Sequence, residues 1–285
     1  MAMGRRPLLG LLAAAAARPA LGQPRRDPPP QVADPRASHF AFGPAGRQWR
    51  ILVGLPAVPP PAQGYSVILS LDGATTFPHF WQHRQDRAAQ APVILVAIGY
   101  EGANRRWYDL TSRAMAPIAP ILFYRAPPAD RLTGGREAFL AMIADQLLPE
   151  LARRYPLDRD DMTIYGHSLG GLFVVHALLS RPGLFARYVA ADPSVWWNAG
   201  ESQREAAAFA AGVRAAGGTI RPGVRLMVAQ AGRARQHHPH DPTALVRMLS
   251  DLGGLEILYR PYPQENHGSL MAPSTGDALA LHLEG

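Results

Sequence analysis

The chain has 285 residues, 47% of them hydrophobic, enough to bury the full core of a single α/β domain. Its formal charge of +7 rests on arginine alone, and the absence of lysine excludes a Schiff-base lysine, a P-loop and a Ser-Lys dyad. The absence of cysteine excludes a disulfide framework, a thiol nucleophile and a lipoprotein acylation site.

Residues 1–22 read as a signal peptide. Arg5 and Arg6 form a basic start, Leu8 to Ala17 an apolar stretch too short to span a bilayer, and Ala20-Leu21-Gly22 a cleavage site. This predicts a periplasmic or secreted protein with no stable membrane insertion after cleavage. The arginine pair leaves the twin-arginine and Sec routes both open, since Pro7 departs from the twin-arginine pattern. Losing Arg5, Arg6 and Arg18 takes the charge from +7 to +4. No basic stripe interleaved with aromatics is present, so no nucleic-acid partner is expected.

Residues 23–38, with Pro24, Pro28, Pro29, Pro30 and Pro35, read as a disordered spacer, and residues 39–285 as one domain. Arg47 to Leu55 predicts an edge strand. Tyr65 to Leu71 and Pro92 to Ile98 are continuous apolar runs, as expected of strands covered on both faces. His79 to Gln90 predicts a helix between them, and Tyr100 to Pro120, with no clean period, a long functional loop. A helix is expected over Arg136 to Tyr155, kinked or broken at Pro149.

Met162 to Phe173 is the centre of the chain's chemistry. An apolar strand-like run enters Gly166-His167-Ser168-Leu169-Gly170, and a run with helical spacing (Leu172, Val175, His176, Leu179) leaves it. This is a nucleophile-elbow pattern: a sharp turn lifts a serine hydroxyl toward a base, with glycines two residues either side because a side chain there would wedge strand against helix. Ser168 then sits at a helix N-terminus, whose amides favour developing negative charge.

Further strands are expected at Arg187 to Ala191, Val224 to Gln230 and Leu255 to Arg260, with helices at Glu201 to Ala216, Thr243 to Leu252 and Ser269 to Leu283. Alternating strands and helices imply a mostly parallel central sheet with right-handed crossovers, helices on both faces and ligands at the carboxyl ends of its strands.

The order serine, acid, histidine selects His267 as base, in a polar loop after the last strand. The acid is sought after Val224 to Gln230, where Asp241 is the nearby carboxylate; Asp241 also has the makings of a helix cap, and the alternatives are Glu265 orienting His267 locally or a Ser-His dyad with a backbone carbonyl holding the imidazole. His237, His238, His240 and Asp241 have the residue types of a metal site but none of the standard zinc spacings, and neither metal nor cofactor is expected. For the oxyanion, the Leu169 amide follows from the elbow. A second amide is expected from the loop Leu71 to Thr75, at Ala74 or Gly73.

At these residues the chain resembles the putative-esterase branch of the α/β-hydrolases, which includes esterase D, enterochelin esterases and periplasmic siderophore-trilactone relatives. The resemblance covers roughly residues 40–285 and is carried by Leu71-Asp72-Gly73, Arg105 to Thr111, Gly134-Gly135 with Phe139, Tyr165 to Phe173, Asp192 to Asn198, and Glu265 to Ser269. It implies Ser168 as nucleophile, His267 as base, and Arg105, Arg106, Trp196 and Trp197 lining or bracing a pocket for an anionic or aromatic small-molecule ester. Relatives often carry a glutamate where Ala231 to Arg235 has none, so the acid is not carried over. The implied activity is serine ester hydrolysis, with catecholate siderophore trilactones as favoured substrates and a broader carboxylesterase range as the near alternative. A non-catalytic binding module and an acyltransferase are the alternatives.

Overall fold

The computed structural model describes residues 32–115, 131–232 and 241–284. The expected signal peptide, most of the spacer, residues 116–120 of the long loop and His237, His238 and His240 lie outside these residues.

Strand β1 (Ala37–Phe42) is the sheet's edge, paired antiparallel with β2 (Trp49–Gly54). Two positions assigned to the spacer thus belong to a strand, and β2 is an interior strand instead of the edge. Val32 and Ala37 pack against buried residues, and Arg36 forks onto Asp34.

Next come β3 (Tyr65–Leu71), α1 (Gly73–Arg87), β4 (Val93–Tyr100) and a single turn, α2 (Arg106–Asp109). Helix α1 begins six residues before the expected start, because Asp72 takes a left-handed conformation (φ 55°) that turns the chain straight from strand into helix. Pro78 lies inside it, which hides the continuity from sequence.

The long helix is α3 (Arg136–Met142), a π-turn (Ile143–Leu147) and α4 (Leu148–Arg154). A proline ring collides with the carbonyl four residues earlier, which for Pro149 is Asp145, inside the widened turn. The irregularity therefore precedes Pro149 instead of sitting at it.

Then follow β5 (Leu157–His167), α5 (Leu169–Ser180), β6 (Arg187–Ala191), α6 (Glu201–Ala215), β7 (Thr219–Ala231), α7 (Thr243–Leu249), β8 (Gly253–Tyr262) and α8 (Met271–Leu283). The order across the eight-stranded sheet is β1-β2-β4-β3-β5-β6-β7-β8, parallel from β4 to β8. This is the mostly parallel sheet expected from the alternation of elements, and the α/β-hydrolase fold that the resemblance implied.

Each sheet face has its own core. Val67, Leu69 and Leu71 of β3 join one cluster with Phe139, Leu147, Phe173, Leu178 and Leu245, while Ile68 points oppositely, toward Phe77, Phe80, Trp81 and Leu279 of α1 and α8. Because β3 and β5 are covered on both sides, their C-terminal ends form a rigid rim for the chemistry.

Helix α8 is pinned to that sheet by His282, whose Nδ1 lies 2.8 Å from Thr163 Oγ1 and Nε2 2.8 Å from Ser66 Oγ. Burial holds the His282 imidazole well below its ordinary range, and likewise brings His167 and His176 down to about 4 from 6.5. An unfolded chain takes up these protons near 6.5 while the folded one resists until about 4, so stability is full above 6.5 and is lost as pH falls toward 4. Denaturant unfolding at pH 5 is expected to take up roughly two to three protons, with Tm falling steadily below pH 6.5. A flat Tm between pH 7 and 4.5 contradicts this.

Candidate active site

The end of β5 runs into α5 through Ser168, at φ 62° and ψ −119°. A side chain held there costs about 1–3 kcal/mol of backbone strain, and two glycines make it possible. A Cβ on Gly166 would stand 2.2 Å from the Gly170 carbonyl oxygen, and one on Gly171 would stand 3.0 Å from that of Ala191. At Gly170 the nearest atom would be 3.5 Å away, an ordinary contact. The close approach expected of Gly170 therefore belongs to Gly166 and Gly171.

Ser168 Oγ lies 2.9 Å from Nε2 of His267, which the loop after β8 brings over the elbow. On the other side of the ring, His267 Nδ1 lies 2.5 Å from Asp192 Oδ2. With Nδ1–H donating to the carboxylate, Nε2 is left as the acceptor for the serine hydroxyl. Asp192 follows β6 directly, at φ 44° with no exposed surface, and its Oδ1 accepts the Ala231 amide at 3.2 Å. Ser168, His267 and Asp192 thus form one hydrogen-bonded line across the end of β5, the loop after β8 and the end of β6.

That carboxylate is not the expected one. Asp241 sends Oδ1 to the Thr243 amide (2.9 Å) at the start of α7, the capping use open to it from the outset. Glu265 accepts from Ser269 Oγ and does not orient the ring either. The carboxylate that meets the His267 ring follows β6, one strand before the loop that was expected to supply it and beside the strand that carries Ser168. Asp192 lay within a stretch that carried the family resemblance, and its position straight after a fully buried strand was the available signal.

Two neighbours crowd the line. Ser194 Oγ lies 3.3 Å from Ser168 Oγ, and the Ser194 amide donates to the Ser168 carbonyl at 3.1 Å. His167 Nε2 lies 2.7 Å from the backbone oxygen of His267. Polar atoms of His167, Asp192 and His267 lie within 4.8 Å of one another, and His167 Nε2, His267 Nδ1 and Asp192 Oδ2 each already face a hydrogen-bond partner.

Leu169 opens α5, and Gly73 and Ala74 open α1. Amides in a helix's first turn have no intrahelical acceptor, so both starts present N–H groups at the rim. Gly73 has a packing reason as well, since a Cβ there would stand 3.1 Å from the β4 backbone at Ala97 and Ile98.

Arg106 forks onto Asp72 with two bonds of 2.9 Å, immobilising the residue before Gly73. Arg105 turns away from it. Its guanidinium donates to the Arg47 carbonyl (2.8 Å), lies 3.9 Å from Asp109 and stands over the Trp49 and Tyr100 rings. It lines a cavity of about 600 Å³ with Arg47, Asn104, Trp107, Tyr108 and Arg131. Trp196 and Trp197 do not form flat pocket walls. They are 4% and 0% exposed within the main core, where Trp197 donates to Ser112 Oγ at 2.9 Å. Trp107, at 5.9 Å from Trp197, is the tryptophan that reaches the cavity.

A sequence profile of the family described as Putative esterase matches residues 44–256. The chain is 30% identical over 259 residues to the ferri-bacillibactin esterase BesA of Bacillus subtilis, covering 84% of this chain and 86% of that protein. It is 27% identical over 179 residues to the apo-salmochelin esterase of Escherichia coli O6:H1, covering 58% and 55% of the two chains. Among solved structures, the BES protein from Bacillus cereus superposes with a TM-score of 0.71 at 24% identity, covering 89% of this chain and 98% of that one.

Proposed function

Since the chain belongs to the Putative esterase family and is an esterase, we propose that it is a serine carboxylic-ester hydrolase working through an acyl-enzyme on siderophore esters. The observation that carries the reading is the unbroken line Ser168 Oγ, His267 Nε2, His267 Nδ1, Asp192 Oδ2. Ser168 Oγ attacks the ester carbonyl as His267 Nε2 takes its proton, and Asp192 holds the ring and offsets the imidazolium charge. The oxyanion is received by the Leu169 amide and by that of Ala74 or Gly73. His267 returns the proton to the departing alkoxide, leaving the acyl group on Ser168. Water then attacks the acyl carbon as His267 takes its proton, and His267 returns that proton to Ser168 Oγ as the Ser168 ester bond breaks and the acid leaves.

Substrate class rests on two supports. BesA and the apo-salmochelin esterase act on siderophores by name, and the cavity beside α2 gathers Arg47, Arg105 and Arg131 with Trp107 and Tyr108. Guanidinium groups suit anionic oxygens and the rings suit flat aromatic arms, which together fit a catecholate. Arg5-Arg6 and the apolar stretch after them support export to the periplasm or beyond. Among the described residues no helix is long and apolar enough to cross a membrane.

Steady-state hydrolysis of a tris-catecholate trilactone and of p-nitrophenyl butyrate by the purified protein tests the reading. The trilactone is expected to have the higher kcat/KM by about 100-fold or more, from binding energy that the small ester cannot supply. Faster turnover of the small ester removes the siderophore assignment.

A further inference from the structure

Adjacent residues on the elbow grip the same histidine at two points. Ser168 Oγ meets its ring at Nε2 (2.9 Å), and His167 Nε2 meets its backbone oxygen (2.7 Å), with the two imidazole centroids 4.6 Å apart. We propose that His167 is a positioning residue for the base: it ties the backbone of the His267 loop to the strand that carries the nucleophile. The inference rests on the serine-hydrolase reading above and adds a role that reading does not contain.

The loop needs such an anchor. Residues 263–269 are mostly exposed, and Asn266 organises them from within, its Oδ1 accepting the Gly268 and Ser269 amides at 2.9 and 3.0 Å. Those bonds shape the turn without fixing it over β5. His167, by contrast, is 6% exposed and is the last residue of a strand paired on both sides. A carbonyl oxygen only accepts, so His167 Nε2 carries the proton. Burial, with the nearby His267 ring, keeps this imidazole neutral, its pKa down to about 4. The donor is therefore in place throughout the range in which an esterase operates. Because residues 167 and 168 are consecutive, any shift of the elbow moves the serine and the base's anchor together, preserving their spacing. A displacement of 1 Å between reacting groups can cost about 100-fold in rate.

The test pairs His167→Gln, whose amide nitrogen reaches as far as Nε2 and keeps an N–H, with His167→Met, of similar length and no donor. With p-nitrophenyl butyrate, His167→Met is expected to lose about 100-fold in kcat with KM nearly unchanged, and His167→Gln to stay within about threefold of wild type. A role in packing alone would treat the two alike. Wild-type kcat in a folded His167→Met, or a His167→Gln as slow as His167→Met at wild-type Tm, overturns the proposal. If His167→Met does not fold, His167→Gln decides: kcat within threefold supports the clamp, and a 100-fold loss at unchanged Tm removes it. Ser168→Ala run alongside separates the two claims. Full turnover without the hydroxyl defeats the serine reading itself, whereas an inactive Ser168→Ala beside a fully active His167→Met defeats the clamp alone.

Discussion

Replacing Ser168 with alanine is expected to lower kcat for ester hydrolysis by about 10⁶-fold, while leaving KM and Tm close to wild type. The size of the loss follows from what the hydroxyl does. Without it no acyl-enzyme forms in the proposed mechanism, and what remains is water attacking a carbonyl held by the proposed oxyanion donors, the Leu169 amide and that of Ala74 or Gly73, a residual that amounts to about 10³-fold over solution. The fold has little stake in the hydroxyl, which hydrogen-bonds the His267 ring and Ser194 Oγ. Alanine accepts φ 62° no worse than serine does. A stopped-flow measurement with p-nitrophenyl butyrate checks this. A variant that keeps even a tenth of wild-type turnover would mean that Ser168 is a bystander.

Asp192→Asn is expected to cost about 10⁴-fold in kcat, with the structure otherwise intact. The carboxylate is wholly buried, so the asparagine amide has no water to turn to. Oδ1 already accepts the Ala231 amide, which directs the substituted NH₂ toward His267 Nδ1. That ring nitrogen must then accept instead of donate, Nε2 takes the proton, and the serine loses its base. Asp241→Asn is the matched control. An asparagine caps the start of α7 nearly as well as an aspartate, so its kcat should stay within about twofold of wild type. Comparable losses in the two variants would contradict the assignment of Asp192.

The contrast between these aspartates shows what the sequence made legible. Gly166-His167-Ser168-Leu169-Gly170, with apolar runs on both sides, announces the elbow because the constraint is local: strand, forced turn and helix occupy a dozen consecutive residues. His267 was legible through chain order and its polar, glycine-flanked loop. Asp192 was not, because which strand supplies the acid depends on how strands lie side by side. Both β6 and β7 end in a loop on the same rim, and only the parallel pairing of β5 with β6 puts Asp192 beside the base.

Tertiary context also decided the tryptophans and arginines. Trp196 and Trp197 have the composition of a ligand wall, yet main-core packing buries both. Arg105 and Arg106 are neighbours of one type with different partners, because one faces Asp109 and the aromatic side while the other reaches Asp72 across the rim. Helix α1 was misplaced for a local reason: the left-handed turn at Asp72 lets a helix begin where a loop was expected.

The central claim, that Ser168 becomes acylated with His267 and Asp192 behind it, is tested most directly by intact-mass and peptide mapping of the protein treated with a fluorophosphonate. A single adduct on Ser168, formed at a rate that drops with Asp192→Asn and disappears with Ser168→Ala, is the expected outcome. An active esterase that takes up no label, or takes it up on another serine, would contradict the account.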